Sequence, residues 1–194
     1  MRLFVGIFPD SDLRAYFRDV RQKLSKFKRN FKFVRIDQIH LTIKFLGSNI
    51  DPSIYKMYKD RLAELASNQK VFSYKVLGVR FGFKAKVRPR VLFGHISENK
   101  DLNELTKIAT LASKGLGSRN IVSRKDRKKL IHHFTLARTK SHTSRSFARD
   151  VREYTKKIAT PESDGMAENI VIVQSKLTPK GPIYKLLDKI PLQK

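Results

Sequence analysis

A short tetrad occurs twice in this 194-residue chain, as His40-Leu41-Thr42-Ile43 and as His133-Phe134-Thr135-Leu136. Each places a histidine and a threonine two residues apart in an apolar, β-favouring run. On a strand, residues i and i+2 point to one face. Each copy therefore aims an imidazole and a hydroxyl the same way, while Leu41 and Ile43, or Phe134 and Leu136, enter a core. Two such strands facing each other would surround one small cavity with two imidazoles and two hydroxyls. That set suits acid–base chemistry on a phosphate ester and calls for no metal and no cofactor.

Hydrolysis of a phosphodiester, a five-membered 2′,3′-cyclic phosphate above all, needs a base for water and an acid for the departing oxygen. Two histidines on opposite sides of phosphorus meet that need. An imidazole pKa of about 6.5 allows one neutral and one charged ring near neutrality. Thr42 and Thr135 would donate to the equatorial oxygens, and Arg138 would add positive charge. Arg138 lies three residues after Thr135, so a regular strand sends it to the opposite face; it ranks below the threonines. His132 neighbours His133 and points away from the cavity. His95 reads as a core or supporting residue and His142 as a loop residue. A metal site at His132, His133 and His142 lacks a nearby carboxylate and is not favoured.

The elements that must position these groups follow from periodicity. Leu3 to Phe8 reads as a strand. Asp10 caps a helix with an apolar stripe of Leu13, Tyr16, Phe17, Val20, Leu24 and Phe27. Phe33 to Phe45 carries the first His/Thr pair, and Gly47-Ser48-Asn49 breaks it. Asp51-Pro52 starts a second helix that buries Ile54, Tyr55, Tyr58, Leu62 and Leu65, and Val71 to Val79 is a strand. The second half repeats the order. Arg90 to Ile96 resembles Arg2 to Ile7. Asp101 and Glu104 suggest a capping box for a helix with Leu102, Leu105, Ile108, Leu111 and Ala112, ended by Gly115 and Gly117. Ile131 to Ala137 carries the second pair. A helix with Phe147, Val151, Tyr154 and Ile158 follows, then the strand Asn169 to Gln174. This duplication predicts one α+β domain over 1–194 with two pseudo-symmetric lobes. The repeats span about 1–80 and 88–176, with C-terminal strands in 169–194. Two antiparallel-rich sheets face a central cleft, with helices outside.

The charge is lopsided: 42 Lys and Arg against 17 Asp and Glu, a net +25. Such a field predicts a polyanionic partner, nucleic acid first. No segment is long and apolar enough to span a bilayer, so no membrane partner is expected. Two loops concentrate the charge. One holds Lys84, Lys86, Arg88 and Arg90. The other holds Arg119, Arg124, Lys125, Arg127, Lys128 and Lys129 and leads into His133. At the cleft mouth they would steer an anionic chain inward; Lys84, Lys86, Arg88, Arg90, Arg127 and Lys128 are the expected RNA contacts. The absence of cysteine excludes disulfides, thiol nucleophiles and thiolate zinc sites. The N-terminal apolar run is too short for a secretory signal, and a cytoplasmic setting is expected.

The flanks of the tetrads resemble the two-histidine (2H) phosphoesterases, and among them the RNA 2′,3′-cyclic phosphodiesterases, also called 2′-5′ RNA ligase-like or LigT-like proteins. Arg2-Leu3-Phe4-Val5-Gly6-Ile7 is similar to that family's first strand. Phe33-Val34-Arg35 with Ile39 to Gly47 resembles its first motif, Pro89 to Phe93 its middle strand, and His133 to Arg138 its second motif. Gly181-Pro182-Ile183-Tyr184 through Pro191-Leu192 resembles its closing strand pair. The resemblance implies a bilobal fold, no metal, and opening of an RNA 2′,3′-cyclic phosphate to a 2′-phosphate, with some members also joining RNA ends through a 2′-5′ linkage. It implies His40 and His133 as the catalytic pair and Thr42 and Thr135 as phosphate-holding hydroxyls. By analogy His40 is the acid for the 3′ oxygen and His133 the base. The implied partner is RNA with a cyclic end, tRNA fragments included, and the implied state a monomer. The chain departs from the family pattern at His132, where proline is usual, at Leu130, where an aromatic is frequent, and at Phe93, where tryptophan is common. A basic RNA-binding protein with little catalysis is the alternative reading of the charge.

Overall fold

A computed structural model describes residues 1–83, 89–116, 131–141, 144–158, 162–179 and 181–194. The two His-x-Thr tetrads fall on β3 (Leu41–Gly47) and β6 (His133–Thr139), with His40 standing just before β3. Around them run β1 (Leu3–Ile7), β2 (Phe31–Phe33), β4 (Phe72–Phe81), β5 (Val91–Ile96), β7 (Ser163–Ala167), β8 (Asn169–Thr178) and β9 (Gly181–Pro191). The helices are α1 (Ser11–Lys23), α2 (Pro52–Ala66), α3 (Lys100–Ala112) and α4 (Arg145–Lys157). The architecture is the α+β one expected, with helices outside; the antiparallel strands of the two halves are joined into one curled nine-stranded sheet rather than two separate sheets.

The strands order as β7-β4-β5-β6-β3-β1-β8-β9, with β2 on β6. The sheet is pinched at its centre, where β3 and β6 share the single register pair Leu41–Phe134. On one side of the pinch lie β3, β1, β8 and β9; on the other lie β6, β5, β4 and β7. The third strand of each half is therefore exchanged. β4, which follows the first tetrad in sequence, pairs with β5, and β8, which follows the second, pairs with β1.

Local chemistry explains most boundaries. Asp10 caps α1 by accepting from the Leu13 amide at 2.8 Å, and Asp51 caps α2 through the Ser53 amide at 2.8 Å with Pro52 at its first turn. The cap of α3 is Asn99, which accepts from the Leu102 amide at 2.9 Å. The expected Asp101 cap is one turn position too late, and Glu104 instead pairs with Lys107. Along α2 the buried side is Tyr58, Leu62 and Ala66, whereas Leu65 is exposed. The stretch 33–45 is not one strand: a 3₁₀ turn at Ile36–Gln38 separates β2 from β3, and β2 crosses to pair with β6.

The helices cover the convex face and interlock the halves. Phe17 of α1 packs on Phe134 of β6, ring centroids 5.1 Å apart, and both rings are buried. Tyr58 of α2 donates its hydroxyl to the Ala109 carbonyl of α3 at 3.1 Å. Among the described residues no helix is long and apolar enough to cross a membrane.

Candidate active site

The tetrads reach one face by the same backbone device. On β6, Thr135 pairs with Phe93 and Ala137 with Leu92, so Leu136 is an extra residue. On β3, Thr42 pairs with Gly6 and Lys44 with Val5, so Ile43 is extra. A bulge of this kind bends the strand and resets which face the next residues take. Leu136 and Ala137, like Ile43 and Lys44, are consecutively buried. Arg138 is thereby returned to the face of His133 and Thr135, and Phe45 to the face of His40 and Thr42. The sequence expectation that Arg138 leaves on the opposite face is corrected by this bulge.

Both imidazoles are tied in the same way. His40 Nδ1 lies 2.8 Å from the Gln38 carbonyl, and His133 Nδ1 lies 2.7 Å from the Ile131 carbonyl. A carbonyl only accepts, so each Nδ1–H donates and each Nε2 is left as the proton-transfer atom. The Leu41–Phe134 register continues to set His40 toward Thr135 and Thr42 toward His133. The rings sense one another. Burial first holds the His40 pKa below its usual range, and the nearby His133 and Arg138 add to that against the pull of the Gln38 carbonyl. His133 is also held low, first by burial and then by Arg138, against the Ile131 carbonyl.

The walls are aromatic. His40 stacks on Phe4 at 4.5 Å and 25°, with Tyr184 edge-on at 5.1 Å and Phe8 at 5.9 Å. His133 meets Phe83 at 5.0 Å and Phe93 at 5.5 Å, both edge-on, and Phe83 stacks on Phe93 at 4.6 Å. Burial raises the Tyr184 pKa, against the opposing charges of Arg138 and Arg2. Tyr184 therefore lies within reach of two guanidinium fields. Arg2 rests over the Phe45 ring at 4.5 Å.

Of the residues singled out in the sequence, His40, His133, Thr42, Thr135 and Arg138 converge on this centre. His132 turns the other way, as expected: it is buried, and its Nε2 lies 3.0 Å from Thr106 Oγ1. Thr106 donates its proton to the Leu102 carbonyl, so it accepts from His132. Arg90 is exposed and sits one residue before Val91, which pairs with Arg138. Alternation sends Arg90 to the other face. Lys84, Lys86, Arg88, Arg119, Arg124, Lys125, Arg127, Lys128, Lys129, Leu130 and His142 lie outside the described residues. Phe4, Phe8, Phe83, Tyr184 and Arg2 carried no assigned role in the sequence reading. The alternation of Phe4, Gly6 and Phe8 was the one readable signal, since it sets both rings on the His40 face. Among the described residues no group of three or more His, Cys, Asp or Glu is arranged to hold a metal ion.

Two imidazoles with Nε2 left for proton transfer, two threonines and an arginine share one face, the set of groups that acid–base chemistry on a phosphate ester uses. The family model described as LigT like Phosphoesterase matches residues 7–93. An RNA 2′,3′-cyclic phosphodiesterase of Archaeoglobus fulgidus is 31% identical over 95% of this chain and 97% of its own. A protein of the same name from Aquifex aeolicus is 28% identical over 99% of this chain and 97% of its own. The crystal structure of TT0787 of Thermus thermophilus superposes with a TM-score of 0.80 at 27% identity, covering 100% of this chain and 98% of that one. The chain belongs to the LigT-like phosphoesterase family.

Proposed function

We propose that this protein hydrolyses RNA 2′,3′-cyclic phosphate ends to 2′-phosphates, with His40 and His133 as the proton-transfer pair. The observation that carries this is the matched tethering of the two imidazoles, each donating Nδ1–H to the carbonyl two residues before it. Relatives of similar length named RNA 2′,3′-cyclic phosphodiesterase support the substrate class.

In the proposed step, His133 Nε2 takes a proton from water as the water oxygen bonds to phosphorus. The P–O3′ bond breaks, and protonated His40 gives its Nε2 proton to the 3′ oxygen. Thr42 and Thr135 hydroxyls and the Arg138 guanidinium bind the equatorial oxygens, where charge grows. Burial favours two neutral rings in the free enzyme, so the arriving phosphate anion is what charges the acid. With an RNA 5′-hydroxyl in place of water, the same groups make a 2′-5′ linkage: His133 takes the hydroxyl proton, the oxygen bonds to phosphorus, the P–O3′ bond breaks, and His40 protonates the 3′ oxygen. One chain supplies both imidazoles, so a monomer suffices, and the two half-repeats act as a single domain. The reading keeps the cytoplasmic setting and admits tRNA fragments as substrates.

The test is to incubate the protein with cyclic-ended RNA in EDTA and locate the product phosphate by ³¹P NMR. A 2′-monophosphate is expected. A 3′-monophosphate, loss of turnover in EDTA, or tight RNA binding without product would overturn the proposal.

A further inference from the structure

Two large cavities flank the catalytic face, and their charges are opposite. One of about 710 Å³ opens beside His40 at Phe8, Gln38 and Tyr184. Its charged lining is Asp10, Asp12, Asp37 and Glu168 against Arg14 and Lys189. The other, about 810 Å³, lies between β4 and α4. Its charged lining is Arg80, Arg149, Arg152 and Lys156 against Glu153 alone. In a chain with so few carboxylates, four of them gather on one side of the centre while the cations gather on the other.

The basic groove is continuous with the catalytic face through the sheet register. Arg80 pairs with Phe93, and Phe93 pairs with Thr135. Residues opposite one another in antiparallel strands share a face. Arg80 therefore stands on the catalytic face two strand spacings, about 10 Å, from Thr135, and it also lines the groove. Phe93 stands between them, and on the same face two residues along β5 is His95, the register partner of His133. Its Nδ1 is buried and reaches no hydrogen-bond partner of good geometry among the described residues.

The groove itself is open to a strand. β7 pairs with β4 only from Phe72 to Val76, leaving Leu77 to Phe81 beyond its reach beside α4. Arg152 donates Nε to the Phe81 carbonyl at 3.2 Å, which pins its guanidinium at the groove. Arg149 and Lys156 point outward, with side chains 75% and 73% exposed. Their contacts to Asp150 and Glu153 are surface pairs of the kind that contribute little and yield readily to a phosphate.

We propose that the RNA body 5′ to the cyclic end leaves the catalytic centre across β5 and β4. His95 and Arg80 take the nearest backbone phosphate, Arg149, Arg152 and Lys156 take those that follow, and the acidic cavity beside His40 turns the strand away. This rests on the RNA reading above.

The experiment compares a 2′,3′-cyclic mononucleotide with a single-stranded RNA of about ten nucleotides bearing the same cyclic end, a length that spans such a groove. The groove variant is Arg149→Glu with Lys156→Glu. The control is Lys56→Glu with Arg61→Glu on the exposed side of α2, which changes net charge equally. The groove variant is expected to lower kcat/KM on the oligonucleotide at least about tenfold relative to the mononucleotide and to flatten its salt dependence, because each lost phosphate contact removes about 0.7 from the slope on single strands. The control is expected to leave both substrates within about twofold of wild type. Fluorescence anisotropy with the linear 2′-phosphate form of the same RNA reads the contact without turnover, so a failure of catalysis leaves this arm intact. Equal oligonucleotide affinity in wild type and groove variant, or equal losses in groove and control variants, would overturn the path.

Discussion

The two halves of the centre share a backbone and differ in what surrounds it. Each has a histidine whose Nδ1 is tied to the carbonyl two residues back, a threonine, and a bulge one residue later. The residue that the bulge returns to the catalytic face is Arg138 in one half and Phe45 in the other. In the Phe45 half the guanidinium comes instead from Arg2, seated over the Phe45 ring. His40 is closed in by Phe4, Phe8 and Tyr184, whereas His133 meets the edges of Phe83 and Phe93. The lesson is that the proposed proton-transfer groups are arranged symmetrically and the proposed phosphate-binding groups are not. A cyclic diester has one leaving oxygen and one retained ester, so it needs an asymmetric grip on symmetric acid–base groups.

The largest expected effect breaks the symmetric part. His40→Ala and His133→Ala should each lower kcat on a cyclic nucleotide by about 10³-fold, the middle of the range for a positioned acid or base, with circular dichroism unchanged. A variant near wild-type rate would remove its half from the chemistry. The next effect sharpens the asymmetry. Arg138→Met should cost about 10²-fold in kcat, as for loss of one charge-stabilising group. Arg2→Met should cost only about tenfold, because Arg2 stands just before β1 and its guanidinium is held on the Phe45 ring. Equal losses at the two arginines would show the grip to be symmetric after all.

A smaller effect tests the seat of His40. A Cβ at Gly6 would lie 2.6 Å from the Leu41 carbonyl oxygen, a backbone atom next to His40. Gly6→Ala should therefore lower stability by about 1–3 kcal/mol, as over-packing does, and lower kcat as well; a thermal melt and a rate read both.

Much of this was legible because strand periodicity is short-range. The His-x-Thr spacing placed imidazole and hydroxyl together, and the opposite facing of His132 followed from the same rule. Asp10 and Asp51 were readable caps because each precedes an amphipathic run at the right offset. The bulges were not readable. Ile43 and Leu136 are ordinary strand residues, and only pairing with β1 and β5 makes them extra. Strand exchange was also hidden. β4 and β8 look like the third strand of their own repeats, yet register places each in the other half. The apparent match of Arg90–Ile96 to Arg2–Ile7 aligns Gly94 with Gly6, whereas the position facing the second threonine is Phe93. Asn99 won the α3 cap over Asp101 because its side chain reaches the Leu102 amide. Tyr184 enters the site from the far end of the chain, through a β8–β9 hairpin that no local pattern ties to His40.

The histidines also couple the site to stability. Burial holds His40, His95, His132 and His133 below the usual imidazole range. The unfolded chain then binds more protons than the folded one between those lowered values and about pH 6.5. Stability should be fully present above about pH 6.5 and fall as acid passes through that window. The fall should be shallower in the His40→Ala and His133→Ala variants, as chemical denaturation at stepped pH would show.

The most direct measurement is kcat/KM on a cyclic nucleotide across pH, which reports the free enzyme's acid and base. With both imidazoles depressed by burial, one charged ring beside one neutral ring is most populated on the acid side of about pH 6.5. A bell with its maximum there, losing one limb in each single-histidine variant, is the predicted result. A rate still climbing above about pH 8, where both rings are neutral, would contradict two-histidine catalysis.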